Sequence, residues 1–160
     1  RRRSRSRRRL VSVIYVDADA CPVKDETVRV AARHKLKTIM VCDGGIRPST
    51  DPMVELVIVS QGADAADDWI AEHIESADVC VTNDIPLAAR CLEKGACAIK
   101  PNGELFTENM IGMALANREL MQGLRDAGEI TGGPRSFSKQ DRSNFLNRLE
   151  TATQAAKRRG

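Results

Sequence analysis

Aromatic residues are scarce in this 160-residue chain, at 3% of the sequence, and only two histidines occur. Stacking of nucleobases on aromatic rings therefore cannot be the main source of any nucleic-acid affinity. No apolar run reaches the ~18 residues that a membrane span needs, so we expect no membrane insertion. The basic start is not followed by the apolar segment and cleavage site of a secretory signal. A cytoplasmic protein is therefore predicted.

The cysteine pattern argues against disulfide bonds and against a zinc site. The chain has five cysteines, an odd number, and no C-x-x-C pair. We interpret them as reduced thiols in an intracellular protein and expect no zinc site. Hydrophobic residues make up 42% and charged residues 29% of the sequence, a balance typical of one soluble globular domain.

Positive charge is concentrated at the two ends of the chain. Residues 1–10 contain seven arginines and no acid, and residues 157–160 add three more cations, although the net charge is only +3. Without these ends, the body has 15 basic and 22 acidic residues. We predict a disordered Arg-rich arm over 1–10, a single α/β domain over 11–156 and a basic tail over 157–160.

The hydrophobic pattern predicts an α/β fold. Five short apolar runs rich in β-branched residues indicate buried strands, at residues 10–16, 38–42, 56–59, 79–82 and 96–99. Amphipathic segments predict helices at about 22–34, 63–75 and 86–94, with two further helices after residue 107. Strands that alternate with helices favour a mostly parallel sheet of about five strands, followed here by two C-terminal helices.

Aspartates follow two of the predicted strands and begin one helix. Asp17 and Asp19 end the first strand, and Asp84 ends the fourth, in the segment Thr82-Asn83-Asp84. Because ligands of parallel α/β sheets bind beyond the carboxyl ends of the strands, these groups could meet at one edge. Oxygen ligands without histidine or cysteine favour Mg²⁺ or Mn²⁺, which typically hold phosphate oxygens and activate water.

Helix capping is the alternative explanation for these acids. Asp84 could cap the helix at Pro86, and Asp19 could cap the helix at Pro22. Acids in the first turns of the next helix complement its dipole, and these are Asp64, Asp67 and Asp68. Helical angles put Asp67 at the border of the apolar stripe and the other two toward solvent. Asp67 is therefore favoured for the site, with Asp68 left open.

Cationic residues near a second helix start suggest a phosphate contact. The Gly-Gly-Pro loop that begins at Gly132 runs into a helix, whose N–H groups and flanking cations could hold a phosphate. An ordinary capped loop is the alternative. The candidates for phosphate or nucleic-acid contact are Arg135, Ser138, Lys139 and Arg142, with Arg47 in the loop after the second strand.

Several long motifs resemble the YaiI/YqxD family of uncharacterised bacterial proteins. They are Asp17-Ala-Asp-Ala-Cys-Pro-Val-Lys24, Gly62-Ala-Asp-Ala-Ala-Asp-Asp-Trp69, Thr82-Asn-Asp-Ile-Pro-Leu-Ala-Ala-Arg90, Gly132-Gly-Pro134 and Asp141-Arg-Ser-Asn-Phe145. The resemblance covers roughly residues 12–150. Ala63 stands where the family usually has an aromatic residue, and Asp43 where asparagine is usual.

That family is grouped with PIN-like nucleases, and the resemblance implies a three-layer α/β/α sandwich with a Mg²⁺ or Mn²⁺ site. Asp17 matches the acid that ends the first PIN strand, and Thr82-Asn83-Asp84 matches the PIN threonine-x-aspartate segment. The helix acid of the family corresponds to Asp67 or Asp68.

The leading functional hypothesis is a metal-dependent phosphodiesterase that acts on RNA, with DNA as the alternative substrate. Asp17 and Asp84 would bind the metal, and Asp67 or Asp68 would complete its ligands. Asp19 would support a ligand or a second ion, while Thr82 and Asn83 would orient the carboxylates. One alternative is a non-catalytic RNA-binding or interaction module. Another is a haloacid-dehalogenase-like phosphatase with Asp17 as nucleophile and Asp19 as acid.

Overall fold

The computed structural model describes residues 12–19, 21–60, 62, 64–126 and 137–159, with the side chains of 118–126 outside this description. The predicted Arg-rich arm and Arg135 lie outside the described residues. The strands are β1 Val13–Asp17, β2 Lys37–Cys42, β3 Val54–Ile58, β4 Val79–Val81 and β5 Cys97–Ile99. The helices are α1 Lys24–Arg33, α2 Ala65–His73, α3 Ile85–Glu93, α4 Glu108–Asp126 and α5 Lys139–Arg159.

The five strands form one sheet in the order β3-β2-β1-β4-β5, and every pair in it is parallel. The register places Val16 beside Met40 on one side and beside Val81 on the other. The predicted α/β class, the parallel five-stranded sheet and the two C-terminal helices are confirmed. An isolated antiparallel bridge from Ile99 to Leu105 lies beyond the β5 edge.

Two hydrophobic layers sandwich the sheet because successive strand residues point to opposite faces. Ile14 and Val16 face one core, which α1 and α5 close with side chains such as Val30 and Phe145. Val13 and Tyr15 face the other core, which contains residues of α2, α3 and α4. The arrangement is therefore consistent with the three-layer sandwich that the resemblance implies.

Local sequence signals fix the starts of two helices. Asp84 caps α3 by accepting a 2.8 Å hydrogen bond from the Leu87 N–H, and Pro86 lies in the first turn. At α5, the Asp141 N–H donates to Ser138 Oγ and the Ser138 N–H donates to Asp141 Oδ2, both at 3.0 Å. This reciprocal pair is a capping box.

Helix α2 is shorter than the predicted 63–75. It ends at His73 because Ile74 takes an extended conformation. The buried Asp78 then accepts hydrogen bonds from the Glu75 N–H at 2.8 Å and the Val13 N–H at 2.9 Å. Asp78 thus ties the chain after α2 to the start of β1, which lies 65 positions away.

Helix α5 lies alongside α1 and in the same direction. Arg142, near the start of α5, pairs with Glu26 near the start of α1 at 2.5 Å. Glu150, two turns later, pairs with His34 just after α1. The basic residues 157–159 form the last turn of α5, where Arg159 Nε donates to the Ser76 carbonyl. Both helices therefore begin at the edge of the sheet where the strands end.

The turn after β5 passes close to α5. Gly103 has a φ of +95°, in the left-handed region that favours glycine. A Cβ added there would lie 2.6 Å from the Asn144 carbonyl carbon. Only glycine therefore allows this turn to approach the α5 backbone.

Candidate functional site: an acidic cleft at the carboxyl edge of the sheet

The strand order reverses between β1 and β4, which makes a crevice at the carboxyl ends of these two strands. The chain passes from β1 outward to β2 and β3, then returns across the sheet to β4. Such a switch point is the usual ligand position in open parallel sheets. Asp17 is the last residue of β1, and Thr82 and Asp84 follow directly after β4. The structure thus places Asp17, Thr82 and Asp84 at the same edge of the sheet, as the sequence predicts.

One hydroxyl joins the two strand ends. Thr82, which is 2% exposed, donates from Oγ1 to Asp17 Oδ2 at 2.9 Å. The same oxygen accepts the Asp84 backbone N–H, also at 2.9 Å. A threonine hydroxyl has one donor and two acceptor positions, so this geometry fixes its proton on the Asp17 side. Thr82 thus orients the Asp17 carboxylate and the chain that carries Asp84.

The site is a cleft with two connected lobes. The larger lobe, about 470 Å³, is lined by carboxylates from separate segments of the chain, which are Asp17, Asp19, Asp43, Asp67 and Asp84. The smaller, about 330 Å³, shares Asp17, Asp19 and Asp84 and adds Cys21, Asn83 and Pro101. We call the two together the acidic cleft.

Asp67 has the most strongly perturbed carboxyl group of the cleft. Partial burial raises its pKa to about 7, and the negative charges of Asp84 and then Asp17 add to the increase. A hydrogen bond between the Asp67 and Asp84 carboxyl groups also favours the protonated form of Asp67. Like charges held this close can coexist only if one carboxyl group keeps a proton or a cation neutralises them.

Asp17 shows a weaker form of the same perturbation. Burial raises its pKa, the hydrogen bond from Thr82 lowers it, and the charges of Asp84 and Asp19 raise it again. Thr82 therefore favours the charged carboxylate in a setting that otherwise opposes it.

Asp84 both caps α3 and lines the acidic cleft. Its Oδ1 accepts the Leu87 N–H and holds the start of α3, yet the residue also lines both lobes. A carboxylate has about four acceptor positions, so one capping bond leaves most of them available.

The remaining predicted acids take different positions. Asp68 faces Arg90, whose Nη1 donates to Asp68 Oδ1 at 2.7 Å, and it does not line the cleft. Asp19 is exposed and its Oδ2 accepts the Asp43 N–H at 3.2 Å, so it does not cap α1. Asp64 is exposed at the start of α2 and makes no side-chain capping bond. Of the two alternatives on α2, Asp67 is the one that faces Asp17 and Asp84.

Asp43 is a member of the cleft that the sequence analysis did not select. It directly follows β2, and its side chain lines the larger lobe. The signal was available, because β2 is adjacent to β1 and acids at strand ends were the criterion. It was missed because Asp43 opens a Gly-rich segment that reads as an ordinary loop.

No described lysine or arginine forms an ion pair with the acids at the centre of the cleft. Every described ion pair of lysine or arginine involves other acids, and Arg90, which pairs with Asp68, interacts with Asp67 only at longer range. In the same part of the chain, no three His, Cys, Asp or Glu side chains are arranged as a ready metal-ligand set. The donor chemistry, all carboxylate oxygen with unneutralised charge, fits a hard divalent cation such as Mg²⁺ or Mn²⁺.

The predicted phosphate contacts are dispersed. Ser138 is used in the α5 capping box, and Arg142 is held by Glu26, by the Pro22 carbonyl and over the Phe137 ring. Lys139 is exposed at the start of α5, and Arg47 is exposed beside a separate cavity. The arrangement does not bring these groups together around one phosphate.

The thiols are consistent with a packing role. All five cysteines are free, and four are buried. Burial raises the pKa of Cys21, the one that lines the cleft, so its thiol is protonated at neutral pH.

Fold and cleft together define a class: a parallel α/β domain with a carboxylate-lined site at its topological switch point. Residues 15–155 match the model of the family described as "Uncharacterized BCR, YaiI/YqxD family". The chain belongs to this family. No described helix has the length and apolar character needed to cross a membrane.

Relatives in several bacteria resemble this chain over most of its length. A UPF0178 protein of Rhodopseudomonas palustris (strain ATCC BAA-98 / CGA009) is 58% identical over 146 residues, which cover 91% of this chain and 92% of that protein. A UPF0178 protein of Rhodospirillum rubrum is 56% identical over 146 residues, covering 91% and 97%. One of Bradyrhizobium sp. (strain ORS 278) is 55% identical over 145 residues, covering 91% and 88%. No solved structure matches.

Proposed function

We propose that this protein is a metal-dependent phosphodiesterase that hydrolyses RNA, on a fold of the PIN-like type. The observation that carries the proposal is the acidic cleft itself. Carboxylates from β1, α2 and the segment after β4 face one cavity, and no described lysine or arginine forms an ion pair with Asp17, Asp67 or Asp84. A purely structural cluster of this kind would be self-repulsive, whereas a cation site requires it.

Asp17, Asp67 and Asp84 are the residues that would hold the cation. A divalent cation in such a site binds phosphate oxygens and activates water for in-line attack. Mg²⁺ and Mn²⁺ match the all-oxygen donors, and small adjustments of the side chains would complete the ligand set.

The residues of this chain prepare the site in three ways. Thr82 orients Asp17 and favours its charged form through a 2.9 Å hydrogen bond. Asp67, with a pKa of about 7, can hold a proton in the metal-free protein and would lose it near neutral pH when a cation binds. Asp19 accepts the Asp43 N–H and so fixes the outer wall of the cleft.

Cleavage of single-stranded RNA in the presence of Mn²⁺ tests the proposal. The double variant Asp17→Asn with Asp84→Asn should lose at least about 100-fold in rate, because it removes two of the charges that hold the cation. Glu72→Gln, which removes one negative charge at an exposed position of α2, should retain full activity. Asp68→Asn should fall by no more than a few-fold, whereas Asp67→Asn should fall with the double variant. Equal rates for the wild type and the double variant would refute the assignment.

The second candidate is a non-catalytic RNA-binding module. No three described His, Cys, Asp or Glu side chains are arranged as a ready ligand set, as a module without turnover would also show. RNA binding that is unchanged by a chelator, with no cleavage under Mg²⁺ or Mn²⁺, would favour this candidate over the phosphodiesterase.

A further inference from the structure

One side of the sheet has incomplete helix cover at β3. On the α1 side, α1 packs over β1 and β2 and α5 packs over β4 and β5. Within the part of the chain that the structure describes, no helix packs extensively on β3. The segment that joins β2 to β3 covers part of this gap, through Ile46. A cavity of about 320 Å³ remains between this segment, α1 and the strands.

The cavity lining is mostly apolar. Its apolar side chains are Val28 of α1, Met40 of β2, Ile46 of the loop, and Val54 and Leu56 of β3. Met40 is 8% exposed, and the other four are partly buried against the same core. Aliphatic side chains with one thioether form a surface suited to the face and edge of an aromatic ring. A volume near the lower limit for ligand sites suits one ring system rather than a peptide.

Two cations lie in the lining of the same cavity. Arg47 is exposed and makes no side-chain hydrogen bond or ion pair with the described residues. Lys24, the first residue of α1, donates from Nζ to the Cys21 carbonyl at 2.8 Å and retains two further N–H groups. Asp25 contributes the one carboxylate of the lining, so positive charge is in excess.

We propose that this cavity binds one nucleotide, with the base against Met40 and its apolar neighbours and the phosphate on Arg47 and Lys24. An aromatic ring that carries an anionic group is the ligand that satisfies both parts of the lining. Arg47 offers a planar fork that matches two phosphate oxygens. Lys24 adds a point charge at the start of α1, where the helix dipole also favours an anion.

This inference goes beyond the proposed function because it requires neither a metal nor catalysis. Lys24 lines the cavity, and Cys21, whose carbonyl accepts a hydrogen bond from Lys24, lines the acidic cleft. A nucleotide in the cavity would therefore position the adjoining part of an RNA chain near the cleft. Binding measured in EDTA reports on the cavity alone, so its failure and the failure of RNA cleavage are separate results.

Calorimetric titration of the full chain with adenosine 5′-monophosphate, in EDTA, tests the proposal. The nucleotide should bind, and adenosine should bind about tenfold more weakly because the phosphate contacts are lost. Arg47→Glu should weaken the nucleotide to the level of adenosine without changing adenosine itself. Lys94→Glu, the same charge reversal after α3, should leave both affinities unchanged.

A bulkier side chain in the cavity lining provides a second test of the proposal. Val28→Phe should abolish binding of both the nucleotide and adenosine, because the added ring occupies the space of the base. If this helix variant fails to fold by circular dichroism, Ile46→Trp places the plug in the loop instead. No nucleotide binding by the folded wild type up to about 5 mM would overturn the proposal. Equal weakening by Arg47→Glu and Lys94→Glu, or full binding in a folded plugged variant, would overturn it as well.

Discussion

The hydroxyl of Thr82 donates a 2.9 Å hydrogen bond to Asp17, and this single contact joins the ends of the two central strands at the acidic cleft. Because the same oxygen accepts the Asp84 N–H, removal of the hydroxyl leaves a backbone donor and the half-buried Asp17 carboxylate without this partner. The position of both acids therefore depends on one side chain that is itself no metal ligand.

Replacement of this hydroxyl tests the dependence directly. Thr82→Val should destabilise the protein by about 1–3 kcal/mol, since two hydrogen bonds at a buried site are lost while the shape is kept. It should also weaken Mn²⁺ binding by about 10 to 100-fold, as loss of a group that orients a ligand typically does. Urea unfolding and Mn²⁺ calorimetry measure the two effects. Thr82→Ser should recover most of both, and a variant that loses stability but binds Mn²⁺ normally would contradict the orienting role.

The two roles of Asp84 can be separated by substitution. Asp84→Ala should cost about 1 kcal/mol of stability through loss of the α3 cap, and Asp84→Ser should cost much less because serine also caps. Both variants should lose Mn²⁺ affinity, since neither carries the carboxylate. Thermal unfolding and calorimetry together test this prediction. If Asp84→Ser binds Mn²⁺ as tightly as the wild type, Asp84 is a cap and nothing more.

Asp67 should make the stability of the metal-free protein depend on pH. Its pKa is about 7 in the folded protein, against about 4 for an unfolded aspartate. The folded state therefore holds the proton more tightly, and the stabilisation that this proton provides is complete below about pH 4 and is lost as the pH rises through about 7.

Unfolding in EDTA at several pH values between 5 and 8 measures this effect. Asp67→Asn should flatten the decline in the free energy of unfolding and be more stable than the wild type at pH 8. Mg²⁺ should raise the melting temperature of the wild type at that pH and not of the variant. Glu72→Gln serves as the control on the same helix. A wild-type decline that Asp67→Asn leaves unchanged would assign the titration to another group.

The pair between Glu26 and Arg142 should stabilise the contact of α1 with α5. Glu26 is 7% exposed, and its Oε1 has no hydrogen-bond partner among the described residues. Arg142→Met leaves the whole carboxylate without a cation and should cost about 2–3 kcal/mol, less than for a fully buried pair because Arg142 is partly exposed. Arg33→Met, which breaks the exposed pair with Glu150, should cost under about 1 kcal/mol. Equal losses in urea unfolding would contradict this difference.

The regular part of this fold is predictable because each element carries its own local signal. The apolar β-branched runs, Pro86 after Asp84 and the Ser138–Asp141 pair are short-range patterns, and the parallel sheet follows from their alternation. The end of α2 was not predictable in this way. It depends on Asp78, whose carboxylate accepts hydrogen bonds from the Glu75 N–H and from the Val13 N–H of β1. The contact with Val13 exists only in the folded chain.

Part of the candidate site was likewise predictable from the sequence, and part depended on contacts between distant residues. Asp17 and Asp84 could be paired from the sequence because strand order brings adjacent strand ends together. The choice of Asp67 over Asp68 needed the position of Arg90, which engages Asp68 from a neighbouring helix. Arg142 was predicted as a nucleic-acid contact because it is a cation near a helix start, yet its partner Glu26 lies 116 positions away.

The turn at Gly103 connects the acidic cleft to helix α5. It carries Pro101, which lines the cleft, and rests directly on the backbone of α5 at Asn144. Any side chain at this position would act as a wedge that lifts the helix from the turn or drives Pro101 inward. A displacement of the C-terminal helix would thus change the shape of the cleft without touching a single aspartate.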